Sequence, residues 1–322
     1  MFHQGDETGK TVKRFEEMRR RHKRYYFDVH EFEDIIDYYL GRNKTQSALE
    51  AVRCGLSLLP QSMIIQLKEA QVYLDHGRIS KALKILKKLS SIENSNYEVF
   101  VSLGTAMNLS GHTDDAIKYY DRALSLDPEE KDEIASQIGY LFQDREKYAE
   151  AAKYFRLAYK ISPDRVNCLY ELAYCYERLG KFDKSIQLYS MYLDKDPFSD
   201  HAWFNLGVVY NRMERFDKAL EAYEYAIALN DRNGSALFNK ASLLVTLRQY
   251  RKAIDMYHEL LELEPNNTAA IIYLAECHEI LEEYTKAELH YSQARKIDPD
   301  SAEAFFGSGI LLLKQNNQQK ID

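Results

Sequence analysis

Six prolines lay a ruler along this chain. Pro60, Pro128, Pro163, Pro197, Pro265 and Pro299 are separated by 68, 35, 34, 68 and 34 residues, a 34-residue lattice with a single one-residue slip. The two vacant lattice points hold Asn94 and Asp231, both suited to turns. Small residues keep the same step at Ala70, Gly104, Gly139, Ala173, Gly207, Ala241, Ala275 and Gly309. A second small series runs Ala48, Ala82, Ala116, Ala151, Ser185, Ala219, Ala253 and Ala287. Four residues beyond its later members stand Tyr120, Phe155, Tyr189, Tyr223, Tyr257 and Tyr291.

A fixed period of this length means stacked supersecondary units rather than one globular core. Trp203, Leu206, Gly207 and Tyr210 have the spacing of one helix face, and "LGKF" at 179–182 makes a tight turn. Two helices of about 13 residues each then form a unit. A glycine in mid-face costs roughly 1 kcal/mol against alanine. The small residues are therefore expected to admit a close helix neighbour, with the aromatics filling the flanking holes. Proline ends the second helix. One unit cannot bury its own face, so units must stack.

Composition agrees with this reading. Hydrophobic residues make up 45% and charged residues 29% of 322, with few prolines and 25 tyrosines, which favours a helix-rich soluble chain. The net charge of −7 argues against general attraction to nucleic acid or anionic membrane. The start, "MFHQGDETGK", has no apolar signal core, and no run approaches the ~18 apolar residues of a membrane span. A cytoplasmic location is expected. Cys54, Cys168, Cys175 and Cys277 form neither a Cys-x-x-Cys pair nor a disulfide framework, so free buried thiols are expected.

The set Trp203-x-x-Leu206-Gly207-x-x-Tyr210, followed by Ala219, Tyr223 and Ala226, resembles the tetratricopeptide repeat (TPR) signature. The resemblance implies an all-α, right-handed superhelical solenoid of stacked helix-turn-helix repeats. Eight units are expected at 29–62, 63–96, 97–131, 132–165, 166–199, 200–233, 234–267 and 268–301, the extra residue falling in "LDPEEKDE" at 126–133. The first two units depart most from the pattern, with Ile36 in a small-residue slot and Glu69 where leucine is usual. Residues 1–28 form a basic N-terminal segment, with disorder expected over 1–10 and a capping helix over 11–27 carrying Phe15, Met18, His22 and Tyr25 at helical spacing. Between Lys13 and Arg24 lie seven basic and two acidic residues. Residues 302–322 hold the first helix of a partial ninth unit and a tail. Phe305, Phe306, Ile310, Leu311, Leu312 and Leu313 cannot all hide on one side of that helix, so a homodimer through it, or sequence beyond the chain, is expected to cover it.

No catalytic constellation emerges: there is no glycine-rich phosphate loop, no G-x-S-x-G elbow and no H-E-x-x-H. The histidines are scattered, and His278 sits in a slot that holds Tyr176 or Tyr210 in other units, as a packed core residue would. No enzyme, metal, cofactor or small-molecule substrate is expected. In the repeats this chain resembles, the first helices line a concave groove. The resemblance puts Tyr170, Phe204, Phe238 and Ile272 on its apolar floor, with Gln137, Glu171, Asn205 and Asn239 as a polar line beside them. Asn167, Tyr174, Glu177, His201 and Glu276 complete the expected peptide-binding set. Amide side chains can both donate to and accept from a peptide backbone. Across the groove places twelve acids face only Lys68, Arg178 and Arg212. A carboxylate clamp for acidic C-terminal peptides is therefore not expected. The expected function is a protein-interaction scaffold for a basic or apolar peptide or helix. Alternatives are association with nucleic acid or ribosome through the basic helix, and a regulatory subunit of an enzyme complex.

Overall fold

The structure, a computed structural model, describes residues 4–21 and 25–318. Among these residues there are helices and no strand, and the chain divides into two compact units, Met1–Ile161 and Ser162–Asp322. The first contains α1 (Gln4–Arg21), α2 (Val29–Leu40), α3 (Thr45–Leu58), α4 (Met63–Asp75), α5 (Ile79–Ile92), α6 (Tyr97–Leu109), α7 (Thr113–Ser125), α8 (Lys131–Gln143) and α9 (Tyr148–Ile161). The second contains α10 (Asn167–Arg178), α11 (Phe182–Leu193), α12 (Asp200–Arg212), α13 (Phe216–Leu229), α14 (Gly234–Thr246), α15 (Tyr250–Leu263), α16 (Thr268–Ile280), α17 (Tyr284–Ile297) and α18 (Ala302–Gln318). Within each unit helices pack in consecutive hairpins, and first helices also touch first helices, as in α4 on α6 or α12 on α14. This is an all-α repeat solenoid.

One local device builds every hairpin. Asn43, Gly77, Gly111, Glu146, Gly180, Glu214, Arg248 and Glu282 all have positive φ, at the repeat step along the chain. Each left-handed residue turns the chain out of its first helix, and the next backbone N–H reaches back to the carbonyl five residues earlier. Arg78 N donates to Tyr73 O at 2.7 Å, and Lys181 N to Tyr176 O at 2.8 Å. This Schellman closure satisfies carbonyls that the helix end leaves free. The opposite ends start on side-chain caps: Ser62, Asn96, Ser199, Asn233 and Asn267 accept from the first turns of α4, α6, α12, α14 and α16.

The two small series meet where expected, as in Ser185 Oγ donating to Ala173 O at 2.9 Å, and the glycines of the first series also lie against the aromatics. A Cβ built on Gly207 would lie 2.6 Å from the Tyr223 ring; on Gly139 it would lie 2.7 Å from Phe155, and on Gly104 2.5 Å from Tyr120. The aromatic of the second helix thus lies directly on the glycine of the first. Tyr120, Phe155, Tyr189, Tyr223, Tyr257 and Tyr291 are all fully buried. Ile36 fills its slot as a buried core residue among Phe15, Phe27, Phe32 and Tyr39.

The N-terminal expectation needs correction. Residues 4–10 are helical as the start of α1, which ends at Arg21, so Tyr25 lies in the link to α2. Residues 1–3 and His22 fall outside the described residues. Phe15 carries α1 onto Phe27 and Phe32 in edge contacts of 5.9 and 6.4 Å. The basic run is partly neutralised at home: Arg14 pairs with Glu31 at 2.6 Å, Arg21 with Glu17 at 2.8 Å, and Arg19 with Glu50. Cys168, Cys175 and Cys277 are buried free thiols and Cys54 is half-buried.

Candidate functional site

Helices α10, α12, α14 and α16 stand side by side in the second unit and carry most of the expected site. Tyr170, Phe204 and Phe238 are half-buried, each resting on a buried second-helix tyrosine: Tyr189 at 5.7 Å, Tyr223 at 6.1 Å and Tyr257 at 6.1 Å. They leave ring surface open for an apolar contact. Asn205 donates to Tyr170 Oη at 2.7 Å, which joins α12 to α10 across this face.

Beneath them lies a polar layer that the sequence did not reveal. The Tyr223 hydroxyl is buried without a hydrogen-bond partner. The Asn205 amide, which donates to Tyr170, also lies against the Tyr189 hydroxyl and restrains its upward shift. Glu177 is 5% exposed, and burial raises its pKa above the usual carboxylate range against the pull of Arg212, 3.6 Å away. Glu177 in turn pushes up both buried tyrosines, after burial itself. Burial, then Glu171, pushes the Tyr170 hydroxyl up to about 12. An unpaired buried hydroxyl beside a poorly solvated acid leaves hydrogen-bonding capacity unused. The aromatic lattice locates these tyrosines, but a repeat spacing says nothing about which hydroxyl finds a partner. Tyr120 finds Thr105 and Tyr257 finds Ser242, whereas Val208 occupies that place before Tyr223.

The remaining expected residues divide. Glu171 and Tyr174 are half-buried on α10, while Asn167 and His201 are exposed at helix starts. Asn239 donates to its own helix at Ser235 O, 2.8 Å, so one of its N–H groups is already engaged. Ile272 is not an open floor position. It is 8% exposed and packs in the core with Tyr291, Ala304 and Leu311, because α18 covers it. Glu276 borders a separate cleft of about 310 Å³ with Glu279 and Glu303. Glu279 there accepts from Tyr291 Oη at 2.9 Å and from Lys314 at 2.7 Å.

Gln137 belongs to the first unit, exposed on α8. Acids also gather in that unit, but around Lys68, which is buried and binds Asp37 at 2.7 Å and Glu33 at 3.2 Å. Asp34 and Glu98 nearby titrate high, from burial first and neighbouring carboxylates after it. His278 is a packed residue, 3% exposed, lying parallel to His290 at 5.4 Å with His258 beyond. Among the described residues no group of three His, Cys, Asp or Glu is placed to hold a metal ion, and no helix is long and apolar enough to cross a membrane.

The family model of the cilia and flagella-associated protein 70 C-terminal domain matches residues 63–306. Tetratricopeptide repeat protein 8 of Caenorhabditis elegans is 24% identical over 183 residues, covering 46% of this chain and 36% of that protein. The BBSome complex member BBS4 homolog of Drosophila melanogaster is 24% identical over 143 residues, covering 44% of this chain and 29% of that protein. The chain thus spans well under half the length of either relative. Among solved structures, the C-terminal part of a TPR repeat-containing protein from Cytophaga hutchinsonii has a TM-score of 0.61 at 15% identity, covering 75% of this chain and 98% of that one. That likeness shows the fold.

Proposed function

Because the chain belongs to the family of the cilia and flagella-associated protein 70 C-terminal domain, a tetratricopeptide repeat fold, we propose that it is a non-catalytic protein-interaction scaffold. Its working surface is the first-helix face of the second unit, and its ligand is a basic or apolar peptide segment or helix. The observation that carries this reading is the layer around Tyr223. Its buried, unpartnered hydroxyl and the buried Glu177 lie under the open rings of Tyr170 and Phe204. A lysine or arginine side chain brings donors and positive charge to such acids, and the open ring faces take its apolar stem.

Charge supports the same ligand class: Glu171 and Glu177 stand beside the floor residues on α10, and Glu276, Glu279 and Glu303 line the separate cleft, with Arg178, Arg212 and the engaged Lys314 among the bases near them. One relative is itself named as a BBSome complex member, which supports a role in a multiprotein assembly for this chain, and a cytoplasmic location goes with it. A second contact face is α18, on which a second copy of the chain would cover the exposed Phe305, Phe306, Leu312 and Leu313.

A peptide array probed with the intact chain tests the site. Basic and apolar peptides should be captured and acidic ones refused. Phe204→Ala should raise the dissociation rate with little salt dependence, whereas Glu171→Lys with Glu177→Lys should slow association most at low salt. Capture of acidic peptides on this face, or binding indifferent to all three changes, would sink the reading.

A further inference from the structure

The outer side of the first unit carries a cleft of opposite charge. It measures about 680 Å³ and opens between α3, α4 and α5, with Leu56, Tyr73 and Ile85 on its floor and Lys81, Lys84 and Lys88 along its rim. The three floor residues are half-buried and the three lysines exposed. The lysines occupy one ridge of α5 over about 10 Å, given 1.5 Å of rise per residue.

Their state differs from that of lysines at the same repeat position. Lys118 on α7 is paired with Asp115 at 2.8 Å, and Lys153 on α9 with Asp121 at 2.9 Å. One repeat earlier the two acid positions hold Lys81 and Lys87, and Lys84 stands where Lys118 does. Among the described residues, Lys81, Lys84, Lys87 and Lys88 have no carboxylate within ion-pair distance. Helix α5 contains no acidic residue at all. Arg53 and Arg78 add positive charge beside Tyr73, Lys81 Nζ lies 5.5 Å from the Tyr73 ring centre, and Glu69 is the one acid lining the cleft.

We propose that this cleft is a docking site for an acidic peptide segment of a partner protein, its carboxylates on Lys81, Lys84 and Lys88 and one apolar side chain between Tyr73 and Ile85. Charge complementarity chooses the occupant, and the shape chooses a peptide over a bilayer. The apolar floor is recessed behind the lysines, where a side chain reaches it and a flat lipid surface does not. The site lies on another unit and takes the opposite charge from the proposed peptide face, so either can fail without the other.

The experiment uses the full chain and a fluorescein-labelled synthetic peptide with Glu and Asp flanking one central Leu, read by anisotropy. Binding should be saturable and should weaken as salt rises. The variant Lys81→Glu, Lys84→Glu, Lys88→Glu changes only exposed positions and should lose affinity by about tenfold or more, from three ion pairs. Tyr73→Ala should lose affinity with little change in salt dependence, and Lys118→Glu with Lys153→Glu should leave it unaltered. Circular dichroism keeps folding defects apart from binding defects. No binding by the wild type, equal binding by the triple lysine variant, or equal binding of a peptide without its leucine would overturn the proposal. So would capture of phosphatidylserine vesicles or a single-stranded oligonucleotide in place of the peptide.

Discussion

A methyl group added at Gly207 would meet the buried Tyr223 ring at 2.6 Å, while one added at Gly309, at the same phase of the repeat, would meet nothing within 4 Å. Helix propensity favours alanine at both places by about 0.5–1 kcal/mol. At Gly207 the ring is fully enclosed and cannot swing aside, and overpacking costs about 1–3 kcal/mol. Gly207→Ala should therefore lower the unfolding midpoint in urea, and Gly309→Ala should leave it unchanged or raise it. His278 and His290 both titrate below the ordinary value near 6.5, burial being the main cause. Facing His278 are Glu283, which opposes the shift, and Lys286 and His258, which deepen it; facing His290 are His278, Gln293, His258 and Lys286. Folded pKa values below the unfolded ones mean that stability is complete above about pH 6.5 and declines as pH falls below it. Thermal melts from about pH 8 to about pH 5 should show that decline, and His290→Gln should flatten it. A midpoint independent of pH in this range would contradict the burial of both rings as neutral groups.

Helices were the legible part of this molecule. Proline, the small series and the aromatics each mark a fixed phase, so a helical repeat fold could be read from spacing alone. What lies directly on a glycine was not legible: Gly207 meets the Tyr223 ring. The candidate face was half legible for the same reason. Phase put Tyr170, Phe204 and Asn205 together, but it could not foresee that α18 would close over Ile272, or that Tyr223 would lack a partner for its hydroxyl. Ala219, fully enclosed on α13, should tolerate no enlargement, and Ala219→Leu should cost about 1–3 kcal/mol. Stability in a stack passes through nearest neighbours. Hydrogen exchange should therefore quicken in α12, α13 and α14 before it does in α17. Helix α18 has the phase of a first helix, yet among the described residues no second helix covers its far side, where Phe306 is 71% and Leu313 66% exposed. Light scattering should show self-association that weakens with Phe306→Glu or Leu313→Glu; a strictly monomeric chain at high concentration would exclude the paired-copy contact.

At the scale of the whole molecule, a net charge of −7 conceals a separation into acidic and basic surfaces. Acids border the first-helix face in the second unit, and unpaired lysines border the outer cleft of the first. Basic and acidic partners need not compete, and simultaneous binding of both test peptides should be close to additive in a titration. The cysteines give the molecule its own set of clocks. Cys54 on α3 is half-buried, while burial holds Cys175 on α10 and Cys277 on α16 at pKa values of about 12. A thiol in that state is protonated and out of reach, so it alkylates only when its helix opens. Timed alkylation read by mass spectrometry would then date each opening separately, with Cys54 modified first and Cys175 and Cys277 keeping the time of their own hairpins.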